Sequence, residues 1–224
     1  MAAATGTDMD EAFYKLFLWL APSYPIGAYT FSHGLEWSVA AGEVGDAVAL
    51  RLWLEDVLEH GAGRSDAMLL AAAWRAETAG DARALEEVAT LALALAPTAE
   101  RLIETTATGR AFAEMTSSAW GDACAVAPLP VAVGQAAARH KVPINVTAFL
   151  YLQSFANNLV SAAIRLVPLG QTDGQRVMAA LMPQCRHVAS DAVAVPMDAI
   201  GGFAIRAEIA SMRHETQDVR LFRS

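Results

Sequence analysis

The chain has 224 residues, with 16 basic and 24 acidic side chains, a formal net charge of -8 at pH 7 and a pI near 5.1. Its length fits one domain with room for a sizeable core, and its acidity argues against nucleic-acid binding, which needs a basic face to neutralise phosphate. Two cysteines far apart in sequence, Cys124 and Cys185, exclude a disulfide scaffold and point to a reducing cytoplasm.

Hydrophobic residues make up 54% of the chain and charged ones 18%. Much of the apolar content is alanine, the best helix former and one that lets helices approach closely. Residues 1–9 lack the basic and apolar regions of a signal peptide and are expected to form a disordered leader. Phe13, Leu16, Phe17 and Leu20 predict a short amphipathic helix stopped by Pro22. After the Pro22–Gly27 loop, Ser32 is expected to cap a helix through Glu36 and Trp37 that ends near Gly42. Asp46 caps the next helix, whose apolar positions Leu50, Trp53, Leu54, Val57 and Leu58 share one face, with Arg51 and Glu55 paired on the other. Ser65 and Asp81 start two more helices, and Pro97 closes the second. Thr98 opens a helix running through Phe112, residues 120–130 form a loop, and Leu129 to His140 a short helix.

Between Lys141 and Arg165 no residue is charged. That length suits a membrane span, but Asn145, Gln153, Ser154, Asn157, Asn158 and Ser161 interrupt it, and lone amides are costly in hydrocarbon. The segment is therefore expected to be a buried helix over about 144–167. Tyr151, Ser154, Asn158, Ser161 and Arg165 form a continuous polar stripe, which either bonds to neighbouring helices or lines a water-filled passage. Thr172 and Gln175 read as a capping box. Pro183 and Pro196 are expected to divide the remaining helical material, and Asp198 to cap a last helix with Gly201 and Gly202 in its first turn and Ile205, Ile209 and Met212 on one face. The pattern predicts an all-α, single-domain helical bundle: residues 10–212 form the domain and 213–224 a tail.

The tail carries Arg213, Arg220 and Arg223 beside the Leu221-Phe222 pair, the residue types that dominate interface hot spots. It either packs back on its own domain or orders against a partner. Elsewhere there is no phosphate-binding loop, no H-E-x-x-H and no C-x-x-C, and no serine or cysteine nucleophile can be paired with a base. The chain reads as a binding protein, not an enzyme.

Three separated stretches resemble one family. Ala21-Pro22-Ser23-Tyr24-Pro25-Ile26-Gly27 through Phe31-Ser32-His33-Gly34-Leu35-Glu36 is similar to the N-terminal signature of the urease accessory protein UreF family. Leu159 through Gln175 resembles its second signature, and Met212-Arg213-His214-Glu215-Thr216-Gln217 with Arg220-Leu221-Phe222-Arg223-Ser224 its third. Thr105 through Phe112 is a weaker fourth match. Ala21 departs from the usual serine, and Asp218-Val219 stands where the family has an aromatic and a small polar residue.

The resemblance implies a cytoplasmic, helical homodimer that binds a second accessory protein, UreD (also called UreH), recruits the GTPase UreG, and helps insert nickel into apo-urease without holding a cofactor itself. It implies partner-binding roles for Pro25, Gly27, Ser32, Glu36, Arg165, Gln171, Gln175, Arg213, His214, Glu215, Gln217, Arg220, Leu221, Phe222 and Arg223. Glu36 would orient a partner's cation at the surface. Arg165, Gln171 and Gln175 would secure the central helix, the following turn and the tail, and the tail itself would order on contact with UreD. Two alternatives stand beside this: a strict GTPase-activating protein with Arg220 or Arg223 as a finger, and a nickel carrier using His33, His187 and Cys185.

Overall fold

Alanine sets how closely these helices approach. The computed structural model describes residues 6–121 and 124–223. Among these described residues ten α-helices follow one another: α1 (Gly6–Trp19), α2 (Leu35–Ala40), α3 (Ala47–Glu59), α4 (Ala62–Ala79), α5 (Ala82–Ala94), α6 (Ala99–Trp120), α7 (Leu129–Arg139), α8 (Ile144–Leu166), α9 (Gln171–Ala192) and α10 (Ile205–His214). Among the described residues there is no strand. The all-α, single-domain bundle expected from periodicity is what forms.

Helix α4 lies at the centre, with Ala67, Ala71, Ala72 and Ala73 buried along with Met68, Leu69 and Leu70. It packs against α7, where Ala132, Ala136 and Ala137 are buried. Gly134 is the point of closest approach: a Cβ there would lie 2.3 Å from the Leu70 carbonyl oxygen. Helix α8, whose one charged residue is Arg165, packs on α9, α4, α3 and α2, burying Leu152, Ala156, Leu159 and Ala163. No helix among the described residues is long and apolar enough to cross a membrane.

Caps read from sequence form at Asp46, which accepts the N–H groups of Val48 and Ala49, at Asp81, which accepts that of Ala84, and at Thr98, which accepts that of Arg101. Arg51 and Glu55 pair along α3.

Other expectations need correcting. Helix α1 starts at Gly6, so residues 6–9 are helical where disorder was expected, while residues 1–5 lie outside the described residues. Its buried positions are Ala12, Leu16 and Trp19; Phe13 and Phe17 are exposed. Helix α4 begins at Ala62, three residues ahead of Ser65. Gly34, not Ser32, is the N-cap of α2, although the Ser32 hydroxyl still accepts the Glu36 N–H at 3.4 Å. Gly170 precedes α9, so Thr172 and Gln175 lie inside its first turns and form no capping box.

Pro183 does not break α9. Proline removes one donor and frees the carbonyl four residues back; here Pro183 and Ala179 are both exposed, so water can satisfy that carbonyl. The last helix starts at Ile205, after a 3-10 turn at Met197–Ala199, and Gly201 and Gly202 lie before it. Ile205, Ile209 and Met212 do share a face, but it points outward, while Ala207, Ala210, Ser211 and His214 are buried.

The seam between α2 and α10 depends on Gly34. Its φ of 77° is in the left-handed region, and a Cβ there would lie 2.5 Å from the Ser211 nitrogen. Gly34→Ala should therefore cost about 2–4 kcal/mol, from backbone strain plus overpacking. A urea melt checks this; an unchanged midpoint would show that the seam gives way freely.

Candidate functional site

The C-terminal tail is packed on its own domain. After α10 the chain turns at residues 215–216 and bends at 218–219 and 221–222 as it passes the N-terminus of α2. One carboxylate holds it there. Glu36 Oε1 accepts the Leu221 N–H at 2.6 Å, and Oε2 accepts the Phe222 N–H at 2.9 Å. Arg223 donates its backbone N–H to the Thr30 carbonyl at 2.8 Å. The Phe222 ring is buried, with the Arg165 guanidinium 4.4 Å above its centroid. Arg165 is in turn anchored by its Nη2, which donates to the Tyr29 carbonyl at 2.9 Å.

His214 ends α10 at the centre of this arrangement, with 0% exposure. Its Nδ1 lies 2.7 Å from Glu100 Oε2 and its Nε2 lies 3.1 Å from Glu36 Oε2. Glu100 also accepts from Arg220 Nη1 at 2.7 Å. The Glu215 carboxylate caps α6, accepting the Ala99 N–H at 2.8 Å, and Thr98 meets Ser211 hydroxyl to hydroxyl at 2.8 Å. Charged side chains are seldom this buried unless paired; here they are paired with each other and with the tail backbone.

These contacts correct two expectations. Glu36 is neither a surface carboxylate nor free to orient a partner's cation, because it is only 6% exposed and grips its own chain. The tail, expected to order on contact with UreD, is ordered in cis. Arg165 does secure it, whereas Gln171 and Gln175 are exposed on α9 and take no part in the contacts that hold it. Pro25 is exposed and Gly27, with φ of 75°, starts the short turn that presents the Tyr29 and Thr30 carbonyls. Gln217 folds locally, its Nε2 donating to the Val219 carbonyl at 2.9 Å. Arg213, Val219, Leu221 and Arg223 face outward.

A second ionic cluster, which sequence reasoning missed, lies deeper. Arg101 Nη1 is 2.8 Å from Glu104 Oε2, and its Nη2 is 3.7 Å from Asp66 Oδ2. The Tyr151 hydroxyl donates to Asp66 at 2.9 Å, and His33 Nδ1 lies 3.1 Å from Glu104. Burial pushes Glu104 upward, but Arg101 and His33 overcome it and hold the carboxyl down at about 2. For Asp66, burial wins over the attraction of Arg101 and raises it. Burial beside Asp66 drives the Tyr151 phenol well above its ordinary range. The available signal was Asp66 itself, an acid set in an otherwise alanine- and leucine-rich run.

This cluster forms the inner end of a cavity of about 140 Å³. Tyr151, Ser154, Asn158 and Ser161 of the polar stripe line it, and the loop from Leu20 to Tyr29 borders it. The stripe also bonds to its neighbours, Ser154 donating to the Leu20 carbonyl at 2.9 Å and Asn158 to the Phe31 carbonyl at 3.3 Å. A second void of about 20 Å³ also touches Asp66, Arg101 and Thr105 and is bordered by Pro97 and Glu208.

Among the described residues no group of three or more His, Cys, Asp or Glu side chains is placed to hold a metal ion. His33, Cys185 and His187 are accordingly not brought together. Cys185 is buried, which pushes its thiol up to about 11, and His187 is exposed beside Asp191.

Fold and site together define an all-helical protein organised around buried ion pairs that fasten its own C-terminus. Residues 44–182 match the UreF family model. The chain is 47% identical to the urease accessory protein UreF of Rhodopseudomonas palustris strain HaA2, over 100% of this chain and 98% of that protein. It is 50% identical to the UreF of Cereibacter sphaeroides strain KD131, over 96% of this chain and 100% of that one, and 46% identical to that of Bradyrhizobium strain BTAi1, over 99% and 96%. The chain belongs to the UreF family of urease accessory proteins.

Proposed function

We propose that this protein is a docking subunit for urease maturation: it binds UreD, recruits the GTPase UreG, and in that assembly helps deliver nickel to apo-urease. It acts as a homodimer in the cytoplasm and performs no covalent chemistry of its own. The observation that carries this reading is the C-terminal segment, held on the domain so that Arg213 near the end of α10 and Val219, Leu221 and Arg223 beyond it face solvent. Leu221 is 64% exposed and Val219 83%, which leaves two apolar side chains open to a partner beside the anchored Phe222. With Phe222 anchored, the tail pays little ordering entropy when a partner arrives.

A route for nickel as cargo would follow α8, where Tyr151, Ser154, Asn158 and Ser161 border a cavity. That cavity is otherwise mostly apolar, and the carboxylates at its inner end, Asp66 and Glu104, already pair with Arg101, so it offers no cage to retain a cation. Arg220 is engaged with Glu100, so of the two arginines weighed as a GTPase finger only Arg223 has a free-facing side chain.

Truncation after Asp218 tests the docking role. Helical content should stay nearly unchanged, because the deleted residues lie beyond α10, while co-purification with UreD is lost. Retained co-purification would remove the tail from the interface.

A further inference from the structure

We infer that His214 is the proton-dependent element of a latch: charged, it holds the C-terminal tail against the domain, and on losing a proton it releases residues 219–223. The argument is geometric. Both ring nitrogens face carboxylate oxygens, Glu100 at 2.7 Å and Glu36 at 3.1 Å, and the ring has no exposure to water. An ionised carboxylate only accepts hydrogen bonds, so the closed arrangement requires both ring nitrogens to donate. A neutral imidazole has one N–H, and its other nitrogen would then press a lone pair on a carboxylate oxygen with no water to intervene.

The surroundings are balanced for the charged ring. Glu36 approaches from α2 and Glu100 from α6, while Arg220 approaches from the tail, giving two negative and two positive groups. Glu215, next in the chain, turns away to the N–H groups of Ala99 and Glu100, and Arg213 faces solvent. The hydroxyls of Thr98 and Ser211 on the adjoining turns bond to each other and carry no charge. Removing the imidazolium proton leaves this buried set with one uncompensated negative charge.

Release follows because the same carboxylates hold the tail. Glu36 Oε2, which faces the ring, also accepts the Phe222 N–H, and Glu100 also accepts from Arg220. Repulsion at either oxygen therefore acts directly on residues 220–222. The sign is fixed: the latch is closed at lower pH and opens as pH rises through the loss of the ring proton. Urea hydrolysis yields ammonia, a base, so alkalinisation accompanies the activity that this family serves. The latch rests on the proposed function only for its consequence, which is that opening removes the fixed pose in which Val219 and Leu221 are presented to a partner.

The full-length protein alone provides the test. Side-chain nitrogen spectra of His214 from about pH 6 to about pH 9 report its protonation, and hydrogen exchange at the Leu221 and Phe222 amides, corrected for the intrinsic pH dependence, reports the latch. Protection at both amides should fall about tenfold or more as the ring loses its second proton. Glu100→Gln places an amide beside Nδ1, so a neutral ring is satisfied, and this variant should keep the tail protected with no pH step. His214→Gln should leave the amides unprotected at every pH while far-UV helicity is retained. The latch is refuted by amides that stay protected while His214 loses its proton, by a ring that keeps both protons up to about pH 9, or by a step that survives Glu100→Gln. Failure to bind UreD at any pH would overturn the proposed function and leave these amide measurements standing.

Discussion

Arg101→Met is expected to lower the unfolding free energy by about 3–5 kcal/mol at neutral pH, because it strands two buried carboxylates. In the native protein Arg101 neutralises Glu104 at 2.8 Å and lies 3.7 Å from Asp66, all three being nearly inaccessible to water. Methionine fills much of the volume, so the loss is electrostatic and not a cavity effect. Its pH dependence separates it from ordinary packing damage. Glu104 has a depressed folded value of about 2, so its contribution is present above the ordinary carboxylate range and is lost as pH falls toward 2. In the variant that depression is gone, and both acids take up protons on acidification. The gap between variant and native protein should be widest near neutrality and narrow in acid. Urea titrations at several pH values measure it; a gap that does not change with pH would assign the damage to packing.

Glu36→Ala is expected to free the tail and to cost about 2–4 kcal/mol, since three donors lose their acceptor at once. Those donors are the Leu221 and Phe222 amides and His214 Nε2. The amides recover solvation by leaving the surface, which is why the tail should detach while the helices persist. Trypsin cleavage after Arg220 should accelerate about tenfold or more, with far-UV helicity close to native. Equal cleavage rates in the two proteins would mean that Phe222 and Arg165 hold the tail without the carboxylate. Because the freed tail no longer presents Leu221 and Val219 in a fixed pose, co-purification with UreD should weaken as well.

Local chemistry was legible wherever one residue acts within a turn of its own position. Asp46, Asp81 and Thr98 cap helices because their side chains reach N–H groups two or three residues on, and Arg51 meets Glu55 one turn away. The polar stripe on α8 was visible as spacing, and the structure shows it bonding to its neighbours and bordering a cavity. Arg165 reaches the tail through its guanidinium over the Phe222 ring, a contact that no local spacing encodes. Glu36 was misread because a carboxylate in the first turn of a short helix ordinarily points to water. Nothing near it in sequence reveals that residues 178 to 186 positions away supply its donors.

The sequence by itself determined an all-helical chain, the start of several helices, and membership of the UreF family through three ordered signatures. It also determined which residues share a helix face. Only the tertiary structure decided which way each face points: Phe13 and Phe17 on α1, and Ile205, Ile209 and Met212 on α10, turn outward, while Glu36, Glu100, Arg101 and His214 turn in. Periodicity is a property of one helix, whereas burial is settled by which neighbours the chain brings against it. Here the decisive neighbours are ion pairs between distant segments, whose stability depends on mutual desolvation that no local pattern encodes.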